Sequence, residues 1–268
     1  MHNQNSLDTL CASLAYAMGI EAPAHAAAAN TDLNDFIDRA FKGERADRIV
    51  MYNPDAIAQW IYEKYPYFLR ETREHCELEL PLAAVMPSVT PVCFGTMYTG
   101  AQPEVHGIQK YDKPVITIDT LFDALLRAGK KVAIITCRKC SLSRIYRERN
   151  LDYFHFEDKK LEAVNACAAE VILRDEHDFI LLYNGNYDTA MHRFGPESPE
   201  ALAELRANDS EFAMLCELIE KNWKHHNTLL GFAMDHGCHE IDGNCGSHGL
   251  DMDEDINIVH LYKSFPKQ

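Results

Sequence analysis

The hydrophobic residues of this chain change period along its length. Up to Arg45 they recur at helical spacing: Leu7, Leu10, Leu14 and Met18, then, after an alanine-rich link, Leu33, Phe36, Ile37 and Phe41 behind Asn30-Thr31-Asp32. That polar run suits a helix N-terminus, so two lead-in helices are expected before the first strand. From Arg48 onward short β-branched runs alternate with longer amphipathic stretches. Arg48 to Tyr52 leads into a helical pattern from Ile57 to Tyr65, and Val115 to Ile118 into one from Leu121 to Ala128. Val132 to Thr136, Phe179 to Tyr183, Leu229 to Met234 and Ile256 to Tyr262 read as further strands. The alternation predicts an α/β fold with a mostly parallel central sheet and helices on both faces.

A chain of 268 residues, 47% hydrophobic, can bury a full core. We read residues 1–45 as a helical lead-in and 46–268 as one α/β domain that would carry any active site. No internal repeat is visible, no low-complexity tract beyond Ala26 to Ala29, and no insertion large enough for a cap domain, so an open site is expected.

The formal charge of −15, from 41 acidic against 26 basic residues, disfavours a long nucleic acid duplex or an anionic membrane as partner. Nine scattered cysteines without a spacing framework read as reduced thiols and point to a cytoplasmic location. Met1 to Leu10 has no lysine or arginine, and the apolar stretch from Leu10 to Ile20 is below membrane length. Ala24-His25-Ala26 imitates a signal-peptidase site, but lacks the basic segment that would precede one.

In a parallel sheet functional groups gather past the carboxyl ends of strands, where loops and helix N-termini converge. Three apolar runs end that way, in Asn53-Pro54-Asp55, Tyr187-Asp188 and Asp235-His236. His192 follows Asp188 by four residues, one helical turn, so both side chains share a face and can hold one metal. Gly246-Ser247-His248-Gly249 places a further histidine in what reads as a flexible loop. Taken singly, a strand-end aspartate is more often a helix cap and a lone histidine a surface or core residue.

The segment from Met86 to Gly100 supplies a hydroxyl. Thr90 before Pro91 reads as an N-cap followed by proline at the first helical position, with Gly100 closing a short helix. A hydroxyl there meets the positive end of the helix dipole, which favours an anion or a developing alkoxide; the plainer reading is an ordinary capped helix.

In this order the pieces resemble the alkaline phosphatase superfamily, most closely its type I phosphodiesterase/nucleotide pyrophosphatase branch. The segment around Thr90, Thr99-Gly100 and Pro103-Glu104-Val105-His106-Gly107-Ile108 carries one part of the likeness. Asp188, His192, Gly195 and Pro196, then Asp235-His236-Gly237, then Gly246 to Gly249 carry the rest, so that it covers Arg48 to the C-terminus.

The resemblance implies an alkaline phosphatase-like fold and two divalent metal ions. Asp188, His192 and His248 would hold one; Asp55, Asp235 and His236 would hold the other, joined by the oxygen of Thr90. Imidazole and carboxylate donors without thiolate suit zinc first, and manganese or iron as well. The implied reaction is hydrolysis of a small phosphorylated substrate, a phosphodiester or nucleotide-type ester, through a phosphothreonine on Thr90.

Two positions depart from the family pattern: Ala56 stands where glycine usually follows the first aspartate, and Cys93 where many diesterases have asparagine. The second change removes a donor to a phosphoryl oxygen. Alternatives are a phosphomonoesterase or phosphonate hydrolase on the same framework, with Arg138, Lys139, Arg144 and Arg193 as candidate cations, or a member that binds metal without turnover. No Cys-x-Pro-x-Arg sulfatase segment is present. A different class would use Cys238, His239, Cys245 and His248 as a structural zinc knuckle, or Cys137-Arg138-Lys139-Cys140 as a thiol pair in a binding protein. Segments 64–85 and 139–175 are candidates to line the site, and Tyr65, Tyr67, Phe68, Tyr153 and Phe154 serve stacking or, more simply, core packing.

Overall fold

The computed structural model describes residues 1–156 and 161–268. Its main sheet has seven strands in the order β2-β9-β6-β1-β5-β3-β4. These are β1 (Arg48–Pro54), β2 (Leu78–Ala83), β3 (Val132–Cys137), β4 (Asp152–Phe156), β5 (Phe179–Asn184), β6 (Thr228–Phe232) and β9 (Asn257–Phe265). β1 pairs in parallel with β5 and β6, and β3 with β5 and β4, whereas β9 runs antiparallel to β6 and β2. A second, two-stranded ribbon joins β7 (His239–Ile241) to β8 (Cys245–Ser247).

The central strands are buried from end to end: all residues of β3, β5 and β6, and all but Arg48 of β1. Covered on both faces, such strands are continuous apolar runs, and their sequence is therefore conspicuous. The edges differ. In β2 buried and exposed positions alternate, and Pro81 lies within the strand, which an edge tolerates because a missing N–H leaves no inner ladder broken. β4 has no fully buried position. Neither edge strand is expected from the apolar pattern, which assigns both stretches to site-lining segments.

Other boundaries move for physical reasons. Val115 to Ile118 is not a strand: Ile116 N–H donates to the Ile145 carbonyl, and the Arg149 guanidinium donates to the Ile116 and Ile118 carbonyls. β6 stops at Phe232, so Ala233-Met234 leave the sheet and carry Asp235 to its edge. Ile256 belongs to the short helix Asp253–Ile256, ahead of β9.

Helices surround the sheet. The two lead-in helices are Thr9–Ala17 and Thr31–Ala40; Asn30 caps the second by accepting from Leu33 N–H at 3.0 Å. Leu7, Leu10, Leu14, Leu33 and Ile37 are fully buried in the common core, each contributing about 1.5–3 kcal/mol of hydrophobic stabilisation. The lead-in also bears on the helix Thr90–Thr99. A Cβ added to Gly100, the left-handed residue closing that helix, would meet Ala26 at 2.7 Å and Cys11 at 2.9 Å. Among the described residues no helix is long and apolar enough to cross a membrane.

Candidate active site

Three neighbouring strands, β6, β1 and β5, deliver the carboxylates to one edge. Asp55 follows β1, Asp235 and His236 follow β6, and Asp188 with His192 sits on the helix Asn186–Phe194 after β5. The helix turn places Asp188 Oδ1 3.2 Å from His192 Nε2, as their spacing predicts. His248 comes from the end of the β7–β8 ribbon rather than from a flexible loop. The ribbon pairs His239 with Ser247, which fixes the backbone just before His248.

The seven residues converge in two groups. In the first, His192 Nε2, His248 Nε2 and Asp188 Oδ1 are 3.1, 3.2 and 3.5 Å apart. In the second, His236 Nε2 lies 3.4 Å from Asp55 Oδ1 and 3.4 Å from Asp235 Oδ2. Thr90 Oγ1 adjoins this second group, 3.4 Å from His236 Nε2 and 3.5 Å from Asp55 Oδ2. Donors on adjacent corners of a tetrahedral zinc site lie about 3.3 Å apart. The second group is fully buried, whereas His192 leaves the first open to solvent.

Hydrogen bonding points the same way. His192 Nδ1 donates to the Gly246 carbonyl at 2.9 Å, His248 Nδ1 to Ser88 at 3.0 Å and His236 Nδ1 to Gly237 at 2.9 Å. A carbonyl only accepts, so each ring carries its proton on Nδ1 and turns the Nε2 lone pair into the site, the arrangement of metal-ligating histidines. Asp55 Oδ1, Asp188 Oδ1 and Asp235 Oδ2 are buried without a hydrogen-bond partner, despite histidine nitrogens within ion-pair distance. Buried carboxylate oxygens left so are costly unless a cation takes them. The donor set therefore fits two divalent metal ions.

Charge tells the same story. Burial, reinforced by the charges of Asp235 and Asp188, pushes the Asp55 carboxyl far above its ordinary range. Burial likewise raises Asp235 to about 7, against a bond from the Ala56 amide. Asp188 goes the other way: burial opposes its charge, but the adjacent His192 and His248 imidazoles hold it low. Asp188 in turn raises His192 to about 9. A proton on His192 reconciles the first group where no cation sits between its members.

The residues around this set position it. Thr90 is the first helical residue and Val89, in extended backbone, stands at the N-cap. The expectation of Thr90 as cap is thus off by one, and its hydroxyl is turned to Asp55 and His236 instead of to its own helix. His106 belongs to neither metal-capable group. Its ring packs where a Cβ on Gly95 would stand, at 2.7 Å, and it bonds Thr96 Oγ1 at 3.1 Å, so it pins the Thr90 helix. Asn53 ties the same helix to the sheet, accepting from Tyr98 OH at 2.6 Å and donating to the Ala233 carbonyl at 2.7 Å.

Sequence patterns missed two contacts. Tyr183 OH donates to Asp55 Oδ2 through a very short hydrogen bond; within β5 it reads as one more apolar residue. Asp255, fully buried, receives His239 Nδ1 at 2.7 Å and Leu250 N–H at 2.9 Å, linking the chain after Asp235-His236 to the chain after His248. His239 is thereby engaged. Neither metal-capable group among the described residues contains Cys238, His239 or Cys245, which removes the zinc knuckle.

A cavity of about 860 Å³ opens beside Asp55, Thr90 and Asp188. Its lining also includes Tyr111, Lys113, Cys137 to Ser141 and Arg193. Segment 139–175 thus supplies part of the lining, residues 157–160 of it lying outside the described residues; segment 64–85 supplies none. Tyr65, Tyr67, Phe68, Tyr153 and Phe154 do not line it, and neither does Arg144. Ala56 adopts φ 62°, a conformation that glycine enters more easily, and donates its N–H to Asp235 Oδ1 at 3.1 Å. Cys93 Sγ is buried against the Val85 carbonyl at 3.8 Å and offers the cavity no donor.

The type I phosphodiesterase/nucleotide pyrophosphatase family model matches residues 52–263. Human ectonucleotide pyrophosphatase/phosphodiesterase family member 7 is 35% identical over 72 residues, 27% of this chain and 16% of that protein. The solved structure of human ectonucleotide pyrophosphatase/phosphodiesterase 5 superposes with TM-score 0.58 at 18% identity, covering 72% of this chain and 58% of that one. The murine counterpart, an inactive threonine-to-alanine variant in complex with AMP, gives 0.58 at 16% identity, covering 74% and 59%. The chain therefore spans less than two thirds of the length of these relatives, and shares their alkaline phosphatase-like fold. With the family model matching most of its length, the chain belongs to the type I phosphodiesterase/nucleotide pyrophosphatase family of the alkaline phosphatase superfamily.

Proposed function

We propose that the protein hydrolyses phosphodiesters of small, nucleotide-type substrates, with Thr90 as nucleophile and two divalent metal ions, zinc first among them. The observation that carries this reading is the placement of Thr90 Oγ1 3.4 Å from His236 Nε2 and 3.5 Å from Asp55 Oδ2, in the lining of the cavity. Asp188, His192 and His248 would hold one ion and Asp55, Asp235 and His236 the other. When bound, such ions lower the pKa of nearby hydroxyls and neutralise phosphoryl oxygens.

The chain's own residues do the rest. Thr90 attacks phosphorus and displaces the leaving alcohol, giving a phosphothreonine; water then displaces the Thr90 oxygen and regenerates the hydroxyl. Two displacements imply retained configuration at phosphorus. Residues 46–268 make up the catalytic part in this reading, and the 1–45 lead-in supports the nucleophile helix from behind. AMP in the murine relative supports a nucleotide-type substrate. All nine cysteines are outside any disulfide, which supports the cytoplasmic, reducing setting we propose.

A second reading has one observation in its favour. Lys113 and Arg193 line the cavity and could meet the extra charge of a phosphomonoester. The test is to count bound metal in the purified protein and to compare an aryl phosphodiester with an aryl phosphomonoester under added zinc or manganese. We expect two ions per chain, faster turnover of the diester, and a loss of at least about 10³-fold in kcat for Thr90→Ala with metal content retained. Fewer than one metal per chain with no turnover of either ester, or an undiminished Thr90→Ala variant, overturns the reading.

A further inference from the structure

Cys137 ends β3 at the same sheet edge as the candidate active site, and Cys140 follows after a turn in which Lys139 adopts φ 70°. Both line the cavity that holds Asp55 and Thr90, and neither is in a disulfide. Their sulfurs are within hydrogen-bond reach of one another. Cys140 Sγ also lies 3.0 Å from Thr136 Oγ1 and 3.4 Å from the Ser143 N–H. The Ser143 N–H donates to this sulfur, and the Cys137 thiol and Thr136 hydroxyl adjoin it, a setting that favours a thiolate over a packed thiol.

The contrast with the other cysteines is direct. Burial opposes a thiolate at Cys140 as well, but the hydrogen bonds from Cys137, Thr136 and Ser143 outweigh it and bring the thiol down to about 6. Burial raises Cys76 to about 11 and pushes Cys93 and Cys238 up too. Nothing in the phosphoryl chemistry proposed for Thr90 uses this pair.

We propose that Cys137 and Cys140 are a thiol–disulfide exchange site in the wall of this cavity, oxidised by low-molecular-weight disulfides to a Cys137–Cys140 bond. The Cys140 thiolate attacks one sulfur of the reagent, forming a mixed disulfide and releasing one thiolate. Cys137 then loses its proton to solvent and attacks the Cys140 sulfur, closing the bond and releasing the second thiolate. The protein gives up two electrons and two protons, and the reagent is reduced to two thiols. Arg138 and Lys139, held inside the closed ring, belong to the same cavity wall, so oxidation alters the surface a substrate meets.

The experiment treats the native full-length protein with oxidised glutathione, quenches with acid, alkylates the remaining thiols and maps the peptides. The expected product is a peptide linking Cys137 to Cys140, lighter by two hydrogens, while Cys137→Ser traps glutathione on Cys140. In untreated protein at pH 7, iodoacetamide should alkylate Cys140 at least about tenfold faster than Cys76, since the thiolate is the nucleophile. A wild-type map in which Cys137 and Cys140 stay reduced while other cysteines take up glutathione overturns the proposal, as does alkylation of Cys140 no faster than of Cys76. These readouts are independent of ester hydrolysis, so they stand or fall apart from the proposed function.

Discussion

The Nε2 atoms of His192 and His248 face each other at 3.1 Å while the Nδ1 of each ring donates to a main-chain carbonyl. Two lone pairs at that distance repel unless a proton or a cation lies between them. Because His192 is exposed and the Asp55, Asp235 and His236 group is buried, the two candidate metal positions differ in access.

Chelator treatment should therefore remove metal in two phases, the first from the His192 side. His248→Ala should bind one ion per chain instead of two, because removing one of three ligands abolishes that position. Metal analysis of the dialysed variant checks this. Loss of both ions together, or of neither, would contradict the separation into an open and a closed position.

Tyr183 stands one step behind the candidate ligands. Its hydroxyl donates to Asp55 Oδ2, leaving Oδ1 to face His236 Nε2. Removing a partner of this kind typically weakens metal binding about 10–100-fold. Tyr183→Phe should show that loss at the buried position, measured by competition with a chromogenic chelator, while the His192 position holds its metal as before. An unchanged affinity would make Tyr183 a packing residue.

How much of this was readable beforehand depends on where each residue sits. β1, β3, β5 and β6 are legible because strands covered on both faces must be apolar throughout. β2 and β4 are not, because an edge strand mixes exposed and buried positions and can hold Pro81. Val115 to Ile118 misleads because the Arg149 side chain, remote in sequence, takes carbonyls that a strand would have paired. Asp55, Asp188, His192, Asp235 and His236 stand out as candidate ligands at strand ends and on one helical turn, whereas their grouping, and His248 with them, is legible only through the family resemblance. Tyr183, Asp255 and the Tyr111–Lys113 side of the cavity depend on tertiary contact alone, and no local pattern marks them.

Ala56 tests whether a departure from the family pattern matters. At φ 62° an alanine costs about 1–2 kcal/mol. Glycine would relieve that strain, but would give up a buried methyl worth about 0.8 kcal/mol and add about 0.5–1 kcal/mol of unfolded-state entropy. These contributions nearly cancel, so Ala56→Gly should leave stability within about 0.5 kcal/mol and metal content unchanged. Urea unfolding and metal analysis check both. A gain above about 1 kcal/mol would mean that the left-handed strain outweighs the methyl.

Glu211 gives stability a pH dependence of its own. It is 5% exposed, and one carboxylate oxygen has no hydrogen-bond partner. Burial raises its pKa from 4.5 to about 8, against a hydrogen bond from Asn165. With the folded value above the unfolded one, the folded state holds the proton longer. The contribution to stability is full below 4.5, declines as the pH rises towards about 8, and does not change further above that. A shift of this size corresponds to a loss on the order of 5 kcal/mol across the window. His106 and His260, both lowered to about 4 by burial, titrate alike in the parent and in Glu211→Gln, and so cancel in the comparison. Glu211→Gln should match the parent near pH 5 and exceed it in stability by pH 8.5, with the gap growing between. Urea unfolding midpoints at a series of pH values measure that gap, and parallel curves would show that Glu211 ionises as an ordinary carboxylate.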